Sequence, residues 1–172
     1  MHGLPQGSVC APMFFNLYTS DMPPTRSRKF SFADDLGLAT QVKDFKTGEE
    51  NLEYDLRIMK AYYRQWCLCL NDDKTEVTMF HLNNRMASTQ LNVFIDDKRL
   101  VHNMCPKYLG LPLDRSLSFK PAMEQLSRKL KVRNNLVQKL AGSTWRACGH
   151  VLRTAVMALV YSAAEYASPA WY

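Results

Sequence analysis

Three Asp-Asp pairs, Asp34-Asp35, Asp72-Asp73 and Asp96-Asp97, are the residues of this 172-residue chain with the clearest capacity to hold a divalent cation. Most such pairs only make turns, because short acidic side chains hydrogen-bond to their own backbone. The first pair differs in its surroundings: Phe30, Phe32 and Ala33 precede it and Leu36, Leu38 and Ala39 follow. Such flanks would keep both carboxylates on a rigid hairpin, where a metal is placed accurately. Magnesium takes one or two protein carboxylates and completes its shell with water and substrate phosphate, so the pair begins a phosphoryl-transfer site without finishing one. Lys74 reads as a general acid toward a leaving phosphate, as a phosphate contact, or as a solvent-exposed turn lysine. In Gly3-Leu4-Pro5-Gln6-Gly7-Ser8 the glycines would let backbone approach a nucleotide closely while Gln6 and Ser8 offer hydrogen bonds. Alone, that segment is only a turn.

The elements that must carry these residues follow from hydrophobic spacing and turn chemistry. An apolar stretch over residues 9–18 predicts a short helix taking Phe14, Phe15, Leu17 and Tyr18 into a core, ended by Pro23-Pro24. Residues 30–39 predict a tight hairpin with Asp34-Asp35 at its tip. Thr47 and Glu50 form a capping-box pattern, and Leu52, Leu56, Met59, Tyr63 and Trp66 then recur at helical spacing, for about five turns of amphipathic helix. A strand-like run at 76–80 follows, with hairpins at 91–101 around Asp96-Asp97 and at 107–114. A basic helix begins near Pro121, and a final apolar helix covers about 150–166 before Ser168-Pro169 stops it. The expected fold class is α+β: short antiparallel hairpins packed on helices.

Lys+Arg number 22 against 16 Asp+Glu, for a net charge of +6 and a pI near 9.1, and 47% of residues are hydrophobic. Those values exclude a disordered chain, and no apolar run reaches the roughly 18 residues of a membrane span, so the chain is expected to be soluble with no membrane partner. The N-terminus does not read as a signal peptide. The whole positive excess lies in residues 120–172, where Lys120, Arg128, Lys129, Lys131, Arg133, Lys139, Arg146 and Arg153 accompany apolar residues at Met123, Leu126, Leu130, Val137 and Leu140. A helix greasy on one side and basic on the other suits a phosphate backbone; it also suits a plain solvated surface. Cys10, Cys67, Cys69, Cys105 and Cys148 are odd in number and lack a Cys-x-x-Cys pair, which fits buried free thiols in a reducing compartment and argues against zinc.

In order and separation, Gly3-Leu4-Pro5-Gln6-Gly7-Ser8-Val9, Phe32-Ala33-Asp34-Asp35-Leu36, residues 70–76 around Asp72-Asp73-Lys74 and Tyr108-Leu109-Gly110 resemble the reverse transcriptase of non-long-terminal-repeat (LINE-type) retrotransposons. Residues 113–119 and 166–171 also resemble the region after the polymerase motifs in that family, so the likeness covers nearly the whole chain. A group II intron maturase is a more distant likeness, because of the stretch after Leu113. The resemblance implies an RNA-directed DNA polymerase with a right-hand shape: a partial palm over 1–119 and a helical thumb-like region over 120–172. By the same implication Gln6, Gly7 and Ser8 contact template and nucleotide, and Asp34 and Asp35 serve catalysis as Mg2+ ligands. Lys74 protonates or positions pyrophosphate, and Tyr108, Leu109 and Gly110 grip the primer. Arg128, Lys129 and Arg133 touch nucleic-acid backbone. The implied partners are an RNA template and a DNA primer, in the nucleus or the cytoplasm.

In that family the other metal aspartate, the aromatic that screens the sugar 2′ position and the fingers all precede the Gly-Leu-Pro-Gln-Gly motif, which begins here at residue 3. Two-metal transfer needs ligands for both ions. The expectation is therefore a C-terminal piece of a polymerase, silent alone without its N-terminal segment and left with an unpaired apolar sheet edge. The rivals are a non-enzymatic nucleic-acid-binding remnant acting through the basic helices and a fragment with no function.

Overall fold

The computed structural model describes residues 7–83, 85–142, 146–166 and 168–170. Two compact units emerge, one of Met1–Val77 with Gln90–His102, the other of Thr78–Thr89 with Asn103–Tyr172. Helices and small sheets mix in an α+β arrangement. The strands form four separate two-stranded ribbons and, among the described residues, no wider sheet.

The first unit holds α1 (Ala11–Tyr18), β1 (Arg28–Phe32), β2 (Asp35–Ala39), α2 (Phe45–Gln65), β3 (Glu76–Val77), β4 (Phe94–Ile95), β5 (Lys98–Arg99) and β6 (Val101–His102). Helix α2 forms where the period of 3.6 was read, but Asp44 caps it, accepting from Thr47 N at 3.1 Å, so it starts before the Thr47/Glu50 capping box and runs for 21 residues. Its inner face brings Met59 and Tyr62 to a core completed by Val77, Leu91, Val93, Ile95 and Leu100. Leu91, Val93 and Ile95 alternate inward as a strand's period of two requires. Outside the ribbon, Asn92 N and Phe94 N donate to Glu49 and Glu53 of α2 at 2.6 and 3.0 Å, which satisfies an otherwise open strand edge.

Helix α1 is a correction. It was expected to drive Phe14, Phe15, Leu17 and Tyr18 into a core, yet none of its residues is buried and Leu17 is 70% exposed. Eight residues have the right period but meet too little of the rest of the unit to cover their apolar side. The helix also ends before Pro23-Pro24, where Thr19 N donates back to Phe15 O. The run at 76–80 pairs over only two residues, and in parallel: Glu76 with Val101 and Val77 with His102.

The second unit holds β7 (Lys107–Tyr108), β8 (Leu111–Pro112), α3 (Lys120–Ala141), α4 (Gly149–Val156), a π-helical turn at Met157–Tyr161 and α5 (Ser162–Glu165). The 107–112 hairpin forms as expected, with Leu109 and Gly110 at φ of 49° and 79° in its two-residue turn. Helix α3 buries Ala122 and Val137, and α5 buries Ala163. The final helix is less enclosed than its composition suggested: Met157 and Tyr161 are exposed, and the π turn interrupts the α ladder. The cysteines are free, but Cys10, Cys67, Cys69 and Cys148 are exposed and Cys105 half-buried, against the buried thiols expected. They sit at helix ends and chain reversals, Cys67 with a φ of 56°, where apolar neighbours in sequence do not become neighbours in space. Among the described residues no helix is long and apolar enough to cross a membrane.

Candidate active site

The β1–β2 hairpin pairs Phe32 with Asp35, so the two-residue turn is Ala33-Asp34, one residue earlier than an Asp34-Asp35 tip. Ala33 takes the left-handed φ of 50° that such a turn demands, leaving Asp34 in the turn and Asp35 as the first residue of β2. Both aspartates are exposed, and neither has an ion-pair partner among the described residues.

Three of the four aspartates in the other two pairs are engaged. Lys60 of α2 places its ammonium 3.1 Å from Asp72 and 2.9 Å from Asp96, with Arg64 3.8 Å from Asp96, and Lys98 bonds Asp73. The hydrogen bond from Lys60 holds the Asp96 carboxyl below its ordinary range, that from Lys98 does the same to Asp73, and bonds to Asp96 and Asp72 raise Lys60. Lys74, next in the chain, stays exposed. Its backbone N–H is held by Asn71 Oδ1 at 3.1 Å, and among the described residues no bond joins it to Asp34 or Asp35.

Gly7 has a φ of 88°, a backbone shape that suits glycine, and Ser8 O accepts from Ala11 N at 3.1 Å to open α1. Both are exposed; Gln6 lies outside the described residues. In the second unit the Tyr108-Leu109-Gly110 turn is braced by Tyr166, whose hydroxyl donates to Leu109 O at 2.6 Å. Arg128 and Lys129 are exposed on α3, whereas Arg133 is half-buried and donates from Nη1 to Leu159 O at 2.5 Å, within the π turn. One arm of Arg133 is thus committed inside the protein.

Sequence reasoning missed four residues that fix these parts. Asp55 is fully buried on α2 and accepts from the backbone ahead of β1; the available signal was a lone acid on an apolar helix face, four residues before Met59. Lys60 and Tyr166 gave no signal in spacing. Asp114 holds the approach to α3 by accepting from Ser116 Oγ, from Ser118 N and Oγ and from Phe119 N. Burial alone would raise its carboxyl, but these bonds outweigh burial and hold it at about 2. Near α1, burial and a bond to Asp21 push the Tyr62 hydroxyl up to about 12.

Two exposed carboxylates without a neighbouring cation are hard oxygen donors of the kind magnesium takes, and in that respect Asp34 and Asp35 fit a divalent ion. They supply part of a coordination shell: the described residues contain no group of three or more His, Cys, Asp or Glu side chains that could hold a metal. Residues 1–113 match the family model described as reverse transcriptase (RNA-dependent DNA polymerase). The chain belongs to the reverse transcriptase family. This reverse transcriptase chain is 26% identical over 136 residues to the "Probable RNA-directed DNA polymerase from transposon BS" of Drosophila melanogaster, covering 74% of this chain and 15% of that protein. It is 26% identical over 152 residues to the RNA-directed DNA polymerase from mobile element jockey of the same species, covering 83% and 16%. It is 23% identical to the Pol polyprotein from the type-1 retrotransposable element R1 2 of Nasonia vitripennis, over 99% of this chain and 43% of that one. These relatives support the LINE type of reverse transcriptase. No solved structure matches the chain.

Proposed function

We propose that these 172 residues are the C-terminal palm and thumb of a LINE-type RNA-directed DNA polymerase, with palm over 1–119 and thumb over 120–172, and that they do not polymerise by themselves. The observation that carries the reading is the Asp34-Asp35 hairpin. It lies inside the span matched by the family model, and its carboxylates have no cation partner among the described residues while Asp72, Asp73 and Asp96 are all neutralised by lysines. Asp34 and Asp35 would hold Mg2+, which supplies charge stabilisation at a transferring phosphoryl group. Gln6, Gly7 and Ser8 would touch template and nucleotide, Lys74 the departing pyrophosphate, Tyr108 to Gly110 the primer, and Arg128, Lys129 and the remaining donors of Arg133 the duplex backbone. RNA template and DNA primer are the partners of this reading.

The test is primer extension on an RNA template by the purified chain with magnesium, beside duplex binding over a series of salt concentrations. No extension is expected, with binding that weakens steeply as salt rises. Magnesium-dependent extension that Asp34→Ala abolishes would overturn the silence of this chain. The second reading, a non-enzymatic nucleic-acid binder, is favoured by the concentration of the entire charge excess in residues 120–172. It expects binding unchanged by Asp34→Ala and Asp35→Ala. It fails where charge removal at Arg128, Lys129 and Arg133 leaves binding intact.

A further inference from the structure

We propose that Asp55 of α2 is the positioning residue of the Asp34-Asp35 hairpin, an inference that rests on the metal-holding reading of that hairpin. Asp55 is 0% exposed, and among the described residues no cation pairs with it. An unpaired buried carboxylate is costly unless hydrogen bonds satisfy it. Here Oδ1 accepts from Arg26 N and Oδ2 from Ser27 N, each at 2.8 Å. Charge-assisted bonds of that length are the strong kind, and both go to the two residues directly ahead of β1.

Neighbouring groups tighten the same two residues. The Arg26 guanidinium lies 3.9 Å from the centre of the Tyr54 ring and donates to Asn51 Oδ1 at 3.3 Å, so Asn51, Tyr54 and Asp55 present one face of α2 to the approach. Thr25 Oγ1 donates to Ser27 O at 2.7 Å, and Ser27 is itself buried. Beyond this knot β1 pairs, among the described residues, with β2 alone, and its tip is exposed. A lone two-stranded ribbon is marginally stable in water, so the direction in which it carries Asp34 and Asp35 is set at its base. Asp55 is the fully buried polar group at that base.

Amide hydrogen exchange and Mn2+-induced line broadening, followed by NMR on the whole chain, test this with Asp55→Asn, which keeps the shape but leaves one N–H facing an amide. The expected result is exchange that quickens across β1 and β2 at least tenfold more than it does at amides around Met59. The apparent Mn2+ affinity of residues 33–36 should fall at least fivefold. Exchange that quickens only at Arg26 and Ser27, with β1 and β2 unchanged, would overturn the proposal. Where Asp55→Asn does not fold, Arg26→Ala removes the Tyr54 and Asn51 contacts without touching the carboxylate. It should quicken hairpin exchange at least threefold, and an unchanged hairpin would again overturn the proposal. Absence of Mn2+ broadening at 33–36 in the wild type would overturn the metal reading itself, while the exchange rates still decide the role of Asp55.

Discussion

The β1–β2 and β4–β5 hairpins each reverse the chain over two residues, with Ala33 and Asp96 at φ of 50° and 52° and an Asp-Asp pair at the bend. Around Asp96 stand Lys60 and Arg64, and the same Lys60 reaches Asp72. Around Asp34 and Asp35 no described cation stands. The same dipeptide therefore sits in two settings: in one hairpin Asp96 is fastened to α2 through Lys60 and Arg64, in the other both carboxylates are exposed and form no ion pair among the described residues. What surrounds a carboxylate, more than its sequence motif, separates the two.

That contrast orders the expected damage when carboxylates or their partners are removed. Asp55→Ala should cost most, about 3 kcal/mol in urea unfolding, because the buried Ser27 N–H and the part-buried Arg26 N–H both lose their acceptor. Asp114→Ala should cost about 1–2 kcal/mol by the same measurement, since it removes the group that organises the residues leading into α3. Lys60→Met should lower the melting temperature more than Lys98→Met, because Lys60 serves two aspartates and Lys98 one. Asp34→Asn and Asp35→Asn should leave the melting temperature unchanged; a clear fall at either would break the comparison.

Acid sharpens it. A carboxyl whose folded value is depressed contributes stability above its unfolded value, near 3.9, and loses it as pH falls through the folded one. For Asp114, held at about 2, that window runs from about pH 4 down to 2. Unfolding followed across this range should show a stability loss that is flatter in Asp114→Asn. Asp96 and Asp73 act in the same direction.

Local patterns that depend on near neighbours were legible in the sequence. Helix α2 declared itself by period, and the 107–112 hairpin by glycine and proline. The Asp34-Asp35 pair stood out by its apolar flanks, although the turn lies one residue earlier because Ala33, not Asp35, accepts the left-handed conformation. Features made by distant residues were not legible. Nothing near Lys60 announces that residues 12 and 36 positions on will meet its ammonium, and nothing near Arg133 announces Leu159. Helix α1 misled for the converse reason: an apolar period states which side wants covering, not whether a cover exists.

The π turn at Met157–Tyr161 has one further consequence, for insertion and deletion. One extra residue in a helical turn rotates everything beyond it by about 100° relative to an unbroken α-helix. Ala163, the buried residue of α5, lies just beyond that offset. Removing one residue from this turn would give a more regular helix and swing Ala163, which lies beyond it, by about 100° away from its niche. The irregular turn is thus a phase adjustment, and a shorter, smoother helix would be the less compatible one.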